Sequence, residues 1–336
     1  MKSTPAAVTP PDEIAALVVD AASWAPSVHN TQPWWFGVRG SRLTVHADTD
    51  RRLDVADPAG REMVLSCGAA LFTLRLAARH LGYTAEVRLS PDPERPTLLA
   101  DVDIARQRPA TADEDRMFEQ VKRRRSHRGG FTGERLPAGL LSKLSIEAQH
   151  EGAALRIVAV PRARQALAAL SEAAEQTQRL SIEHKTELAR WAPAPGNHRR
   201  EGVHPGAYPR EPEHTDPHFA ARDFARGQGW GRHDDTGDAS GDATGVVALL
   251  MTREDTPAAW LAAGQALQRV LLSAAEADVS AAFHTQALEL PELRAFVRRE
   301  FCGGAHPQML MRLGYTDGRP GESVRRANAD IAREDA

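Results

Sequence analysis

The sequence predicts a chain of mixed helices and strands, built from two similar halves around one pair of matched helices. Two observations carry this expectation. Residues 61–81 and 258–277 each read as an apolar helix with a glycine at its middle, and Met63–Leu71 can be laid on Ala259–Leu267 with Gly68 falling on Gly264. A mid-helix glycine costs about 1 kcal/mol against alanine, so two at matching places predict a close helix approach, as the core of a two-fold-related pair requires. Strand segments also flank the two helices in the same order. Two ordinary Ala-rich buried helices would share the first feature; the matching neighbours favour duplication.

Taken in order, Thr9-Pro10-Pro11-Asp12 opens a helix, with Thr9 as cap, Pro10 in the first turn and Asp12 at the positive helix end. Ile14, Leu17, Val18, Ala21 and Ala22 give it one buried stripe, and Pro26 ends it. Residues 34–38 and 43–47 read as a strand pair turning at Arg39-Gly40-Ser41. The helix at 61–81 is apolar through Met63, Val64, Cys67, Leu71, Leu74 and Ala78, and Gly82 closes it. Strands at 85–89 and 97–104 follow, then a charged helix near 113–123. In the second half, Pro137 opens a helix through Leu140, Leu141, Leu144 and Ile146, a strand covers 154–160, and one long helix runs from Ala163 to Trp191. Residues 192–244, rich in Pro, Gly, His and Asp, lack apolar periodicity and fit a lid, a binding loop or disorder. A buried strand at 245–251 restores order. The expected division is 1–110 and 111–336, the second half carrying the 192–244 insertion.

With 336 residues, 42% hydrophobic and 26% charged, the composition is that of an ordinary globular protein. A net charge of −3 implies no general affinity for nucleic acid or an anionic membrane. Cys67 and Cys302 alone cannot build a disulfide framework or a cysteine zinc site. Residues 1–10 hold no apolar run, so no signal peptide is expected, and no apolar segment is long enough to cross a bilayer. A cytoplasmic location is the default expectation.

Two motifs carry chemistry. In Ala25-Pro26-Ser27-Val28-His29-Asn30-Thr31-Gln32-Pro33-Trp34, the residues Ser27, Asn30 and Gln32 stand on a loop pinned by Pro26 and Pro33. Short polar side chains on such a loop suit the edge of a flat heterocycle; capping side chains at a helix-ending turn would look the same. In Arg123-Arg124-Arg125-Ser126-His127-Arg128, extended backbone puts Arg124, Ser126 and Arg128 on one face, where planar guanidinium forks suit a phosphate. A solvated basic helix end is the alternative.

The first run resembles the APSxxNxQPW segment, and the second the phosphate-binding RRSxR segment, of the nitroreductase superfamily. In that family the arginine segment comes first; here the order is reversed. Pro307-Gln308-Met309-Leu310-Met311-Arg312-Leu313-Gly314-Tyr315, followed by Arg319, Arg325 and Arg326, resembles the family's closing strand and basic tail. The whole chain looks like the Acg branch of single-chain, internally duplicated FMN proteins. The resemblance implies an α+β fold, a pseudo-dimer with antiparallel-type sheets packed on a shared helical core. It also implies FMN held by Pro26, Ser27, Asn30, Gln32, Arg124, Arg125, Ser126 and Arg128, with Arg325 or Arg326 from the tail. NADH or NADPH would be the electron donor, and a small nitro, quinone or similar molecule the acceptor. A surface tail with scattered charge is the other reading of Arg325 and Arg326.

The chain departs from the family pattern in ways that shape the expectation. The first half has no RRSxR counterpart, and Gln149-His150-Glu151-Gly152 stands where a second APSxxN loop would be. One composite site and one FMN per chain follow, in a monomer or weak homodimer. Ala281-Ala282-Phe283-His284-Thr285-Gln286 stands where many family members carry a Glu-Gly pair near the flavin. His284, Thr285 and Gln286 are therefore candidates for flavin contact, a buried structural histidine being the alternative for His284. The missing pair and the lid-like segment leave a second function open, FMN sequestration with little turnover. His198, His204, His214, His218 and His233 crowd the irregular segment, but Pro217 breaks the helical spacing a metal site would use there. Gly227-Gln228-Gly229-Trp230-Gly231 follows no strand and opens no helix, so it reads as a loop, not a nucleotide fingerprint.

Overall fold

A computed structural model describes residues 11–211, 214–232, 243–317 and 321–334. Helix α1 covers Pro11–Ser23, so the expected capping residues Thr9 and Pro10 lie outside the described residues. Strands β1 (Trp34–Arg39) and β2 (Arg42–Ala47) pair antiparallel, and Gly40, at φ +58°, takes the left-handed step between them. Helix α2 runs Arg61–His80, followed by β3 (Tyr83–Leu89), β4 (Leu98–Gln107), α3 (Ala112–Glu119) and the short β5 (Ser126–His127). Thr111 caps α3 in a reciprocal box with Glu114.

Next come α4 (Ala138–His150) and β6 (Ala154–Ile157). The expected single helix over 163–191 is two helices, α5 (Pro161–Leu180) and α6 (Ile182–Trp191). Ser181 separates them: its backbone is extended (φ −77°, ψ 128°) and its hydroxyl accepts from His184 N, capping α6. After the irregular stretch come β7 (Val246–Thr252), α7 (Pro257–Ala275), β8 (Ser280–Phe283), α8 (Gln286–Glu289), α9 (Pro291–Phe301), β9 (His306–Gly314), α10 (Asn328–Ile331) and β10 (Ala332–Glu334).

These strands form two five-stranded sheets, ordered β10-β1-β2-β4-β3 and β5-β8-β9-β7-β6. Pairing is antiparallel except at one edge of each, where β10 lies parallel to β1 and β5 parallel to β8. The C-terminal strand therefore crosses to the first sheet, with Ala332 opposite Phe36. Trp34, Phe36, Leu43 and Val45 pack on α1 and α2 in one core; Leu144, Leu250, Val270 and Met311 belong to another around α7. Full burial of each such side chain contributes roughly 1.5–3 kcal/mol. The helices α2 and α7 join the two: Leu261 of α7 sits in the first core and Leu65 of α2 in the second. Thr73 and Gln268 hydrogen-bond across this contact at 2.9 Å.

Candidate functional site

The loop between α1 and β1 is built against its own backbone preferences. His29, Asn30 and Gln32 have φ of +47°, +52° and +51°, in the left-handed region where a side chain is strained by about 1–3 kcal/mol per residue. Surrounding contacts hold it there. Ser27 Oγ accepts from Gln32 N at 3.0 Å. Asn30 Nδ2 donates to the carbonyls of Gly202 and Val324, while its Oδ1 accepts from Arg325 at 3.1 Å. Gln32 Nε2 donates to Arg200 O at 2.8 Å, and its Oε1 accepts from Arg326 N at 2.8 Å. Asn30 and Gln32 thus clasp the loop to residues 200–202 and to the C-terminal tail.

Beside this loop, Arg124, Ser126 and Arg128 line a small cleft of about 30 Å³ together with Pro26, Ser27, Asn30 and Arg325. Arg124 is buried, and its Nε and Nη1 have no hydrogen-bond partner; Arg325 Nε is in the same condition. Their hydrogen bonds go to neutral acceptors: Trp24 O for Arg124, Trp24 O, Val324 O and Asn30 Oδ1 for Arg325, and Ala207 O for Arg128. Glu322 also lines the cleft, yet among the described residues no carboxylate forms an ion pair with any of the three. Burial and the neighbouring guanidiniums push Arg124 down to about 9 and Arg325 well below its ordinary value; burial lowers Arg128 to about 10. A guanidinium keeps its proton at neutral pH, so these shifts express lost hydration first and, at Arg124 and Arg325, repulsion between neighbouring cations; an anion in the cleft would relieve both. Arg125 is turned away: it lies over the Trp24 ring at 4.8 Å and donates to Arg124 O. Arg326 likewise points elsewhere, toward the carbonyls of Gln32 and Trp34.

Pro26, Ser27, Ser126 and Arg128 are shared with a larger cavity of about 360 Å³, within the range of small-molecule sites. Glu62, Leu65 and Ser66 from α2, and Leu267 from α7, form one wall. Ala282, Phe283 and Met309 bring in the second sheet, so the cavity lies between that sheet and the paired helices α2 and α7. Tyr208, Arg222 and Phe224 close it from the irregular segment.

His284, Thr285 and Gln286 all border this cavity, but their polar atoms are already engaged. His284 Nε2 accepts from Arg312 Nε at 2.8 Å, which leaves Nδ1 as the donor to Ala220 O at 3.3 Å. Thr285 Oγ1 donates to Glu289, and Gln286 Nε2 to Glu175 and Ala220 O. Arg222 reaches down to Glu289 at 2.7 Å. Burial opposes charge on Glu289, but Arg222 and Thr285 hold it at about 2. Together these contacts anchor residues 220–223 over the cavity.

Several site residues escaped the sequence reading. His29 and His127 stand inside the two quoted motifs and were not singled out. Glu62 and Ser66 are one helical turn apart on a helix read as apolar, and Ser66 Oγ donates to Glu62 O. Burial, with Glu289 nearby, pushes Glu62 up to about 8 although Arg61 donates to it at 2.7 Å. Tyr208, Arg222 and Phe224 lie in a segment without periodicity, where no pattern marks them. Elsewhere, the loop after α4 carries Glu151, buried and paired with Arg75 at 2.7 Å and Arg269 at 3.2 Å. Among the described residues no group of three His, Cys, Asp or Glu side chains could hold a metal ion, and no helix is long and apolar enough to cross a membrane. The His214 and His218 rings stack at 5.1 Å off any helix. His233 and Arg319 lie outside the described residues.

A two-sheet α+β chain with a cavity beside an arginine-lined cleft defines a class, and known proteins match it. A Mycobacterium tuberculosis (strain H37Rv) protein named as an NAD(P)H nitroreductase is 33% identical over 309 residues, covering 91% of this chain and 86% of that protein. A second from the same organism, also named as an NAD(P)H nitroreductase, Acg, is 29% identical over 304 residues, covering 90% and 89%. The chain belongs to the nitroreductase superfamily, and within it to the Acg-like branch. No family model matches it. Among solved structures, the FMN-dependent nitroreductase NfnB from Mycobacterium smegmatis in complex with NADPH aligns at a TM-score of 0.39 and 16% identity, covering 66% of this chain and 98% of that chain. A BluB-like flavoprotein from Clostridium difficile 630 aligns at 0.40 and 12%, covering 63% and 95%.

Proposed function

We propose that this chain binds one FMN and acts as an NAD(P)H-dependent oxidoreductase that reduces a nitro, quinone or similar small acceptor. One observation carries the reading: the buried Arg124 and the half-buried Arg128 and Arg325, with no carboxylate partner among the described residues, converge on a cleft that shares its walls with an aromatic-lined cavity. The orphaned nitrogens of Arg124 and Arg325 fit a phosphate, because buried donors left unpaired each cost about 1–3 kcal/mol. Arg124, Arg128, Arg325 and Ser126 would hold the phosphate of FMN, with Pro26 and Ser27 bordering both its ends. Bound FMN supplies two-electron redox chemistry that these side chains lack. The chain's own residues exclude water and fix charge: burial keeps His29, His127 and His284 neutral and pushes Glu62 toward its protonated form.

The reading extends to architecture. A fused pair of repeats, divided near residue 110, accounts for the glycine-centred helices and for the strand orders of the two sheets. In the second repeat, the Glu151 ion pairs with Arg75 and Arg269 take the place in the chain order of the Ser27–Gln32 loop, which supports one site per chain.

A second reading, FMN sequestration with little turnover, is favoured by the segment covering the cavity and its anchors at Arg222 and Ala220. Anaerobic addition of NADH and then NADPH to the FMN-loaded protein separates the two. Bleaching of the visible flavin band with either donor is the expected result; no bleaching with both favours sequestration.

A further inference from the structure

Among the described residues, buried side-chain atoms without a hydrogen-bond partner occur in three residues that line the site. Two are Arg124 and Arg325, through their guanidiniums in the cleft; the third is Tyr208, through its hydroxyl, and it lines the larger cavity. Tyr208 is 6% exposed, and neither motif of the sequence contains it. It comes from the stretch after α6, where Ala192, Val203, Ala207, Tyr208 and Phe224 make a small core of their own. That core fixes the ring: Tyr208 packs on Phe224 at 5.8 Å, and Phe224 meets His29 of the strained loop edge-on at 5.5 Å. A phenol so placed is a donor held in position with nothing to donate to, and buried polar groups in folded proteins are normally paired.

We propose that the Tyr208 hydroxyl is a hydrogen-bond donor to the bound flavin, which makes the stretch around Tyr208 part of the cofactor site rather than only its cover. The inference rests on the FMN reading above. Its place within the ligand follows from the walls. Ala207 borders the arginine cleft and accepts from Arg128, whereas Tyr208 borders the larger cavity and not the cleft. The hydroxyl therefore serves the ring or its sugar-alcohol chain, which FMN and riboflavin share, and not the phosphate. Burial raises the phenol's pKa, so it keeps the proton it donates.

The test is titration of wild type, Tyr208→Phe and Arg124→Gln with FMN and with riboflavin, followed by flavin fluorescence, beside thermal melts of the ligand-free proteins. Tyr208→Phe keeps the ring and removes only the unpaired hydroxyl. It should weaken both ligands by about tenfold, or about 1.4 kcal/mol, and leave the ligand-free melting midpoint unchanged or raised. Arg124→Gln should weaken FMN alone. Affinity of Tyr208→Phe within about twofold of wild type for both ligands would overturn the inference. So would loss of affinity accompanied by a lowered ligand-free midpoint, the mark of a purely structural role. Failure of wild type to bind FMN would instead overturn the parent reading, and this inference with it.

Discussion

Gly68 and Gly264 meet where α2 crosses α7, each occupying space that a methyl group on the other's helix would need. A Cβ on Gly264 would lie 1.9 Å from Leu65 O, and one on Gly68 2.2 Å from Leu261 O; both are backbone atoms that cannot step aside. The close approach lets Leu65 and Leu261 reach into opposite cores and brings α2 and α7 to a common wall of the cavity.

Gly264→Ala should therefore force the helices apart. The expected loss is about 3 kcal/mol, a fall of roughly 4 °C in melting midpoint for a chain of this length. Gly139→Ala, in α4 with open space at its Cβ, should be neutral or gain about 0.5 kcal/mol. Equal melting behaviour of the two variants would contradict the packing account.

Arg325→Gln should act in opposite directions on the free and bound protein. Removing a cation that faces Arg124 and Arg128 should raise the ligand-free midpoint, while FMN affinity falls by about 2–3 kcal/mol, roughly 30–150-fold. Calorimetric titration beside ligand-free melts reads both. A variant that melts lower without ligand and binds FMN as wild type does would refute the assignment.

Arg222→Gln strips Glu289 of its cation and leaves a buried carboxylate. The expected cost is about 3–5 kcal/mol, with faster FMN release as residues 220–223 lose their anchor. Adding Glu289→Gln should recover part of the stability, because the unpaired charge is then gone. Stopped-flow release and denaturant melts check the pair; no recovery in the double variant counts against the ion pair as the anchor.

Acid should loosen the site through its histidines. Burial and then Arg222 lower His29 to about 3, and burial with Arg312 lowers His127 to about 4. Each folded value lies below the ordinary 6.5, so the unfolded chain binds more protons. The stability contributed is full above pH 6.5 and is lost as pH falls toward those values. Glu62, raised to about 8, works the other way and partly offsets the loss between pH 8 and 4.5. His29→Asn isolates one contribution, since asparagine tolerates the left-handed backbone there. Its stability should fall less steeply than wild type between pH 6.5 and 4.5, by about 1.4 kcal/mol per pH unit. Parallel curves would show that His29 is protonated in the folded protein.

What the sequence discloses follows from how local each signal is. The glycine-centred helices were legible because a helical stripe repeats over many residues and the two could be laid on one another. The converging Arg124, Ser126 and Arg128 were legible from alternation, the same rule that sends Arg125 to the opposite face and over Trp24. The parallel edges β5 and β10 were not, since two or three residues carry no period. Tyr208, Arg222 and Phe224 were hidden for a related reason: they reach the cavity through the path of an irregular segment, which only the fold determines. The break at Ser181 was masked by helix-favouring residues on both sides.

The most direct measurement is the stoichiometry of flavin on the intact chain. Ligand-free protein titrated to saturation with FMN, then freed of excess and assayed for flavin and protein, should carry one FMN per chain. The Arg124→Gln, Arg325→Gln double variant should carry little under the same conditions. A ratio near two would mean that the second half keeps a working site, and a wild-type chain that retains no flavin would contradict the account at its centre.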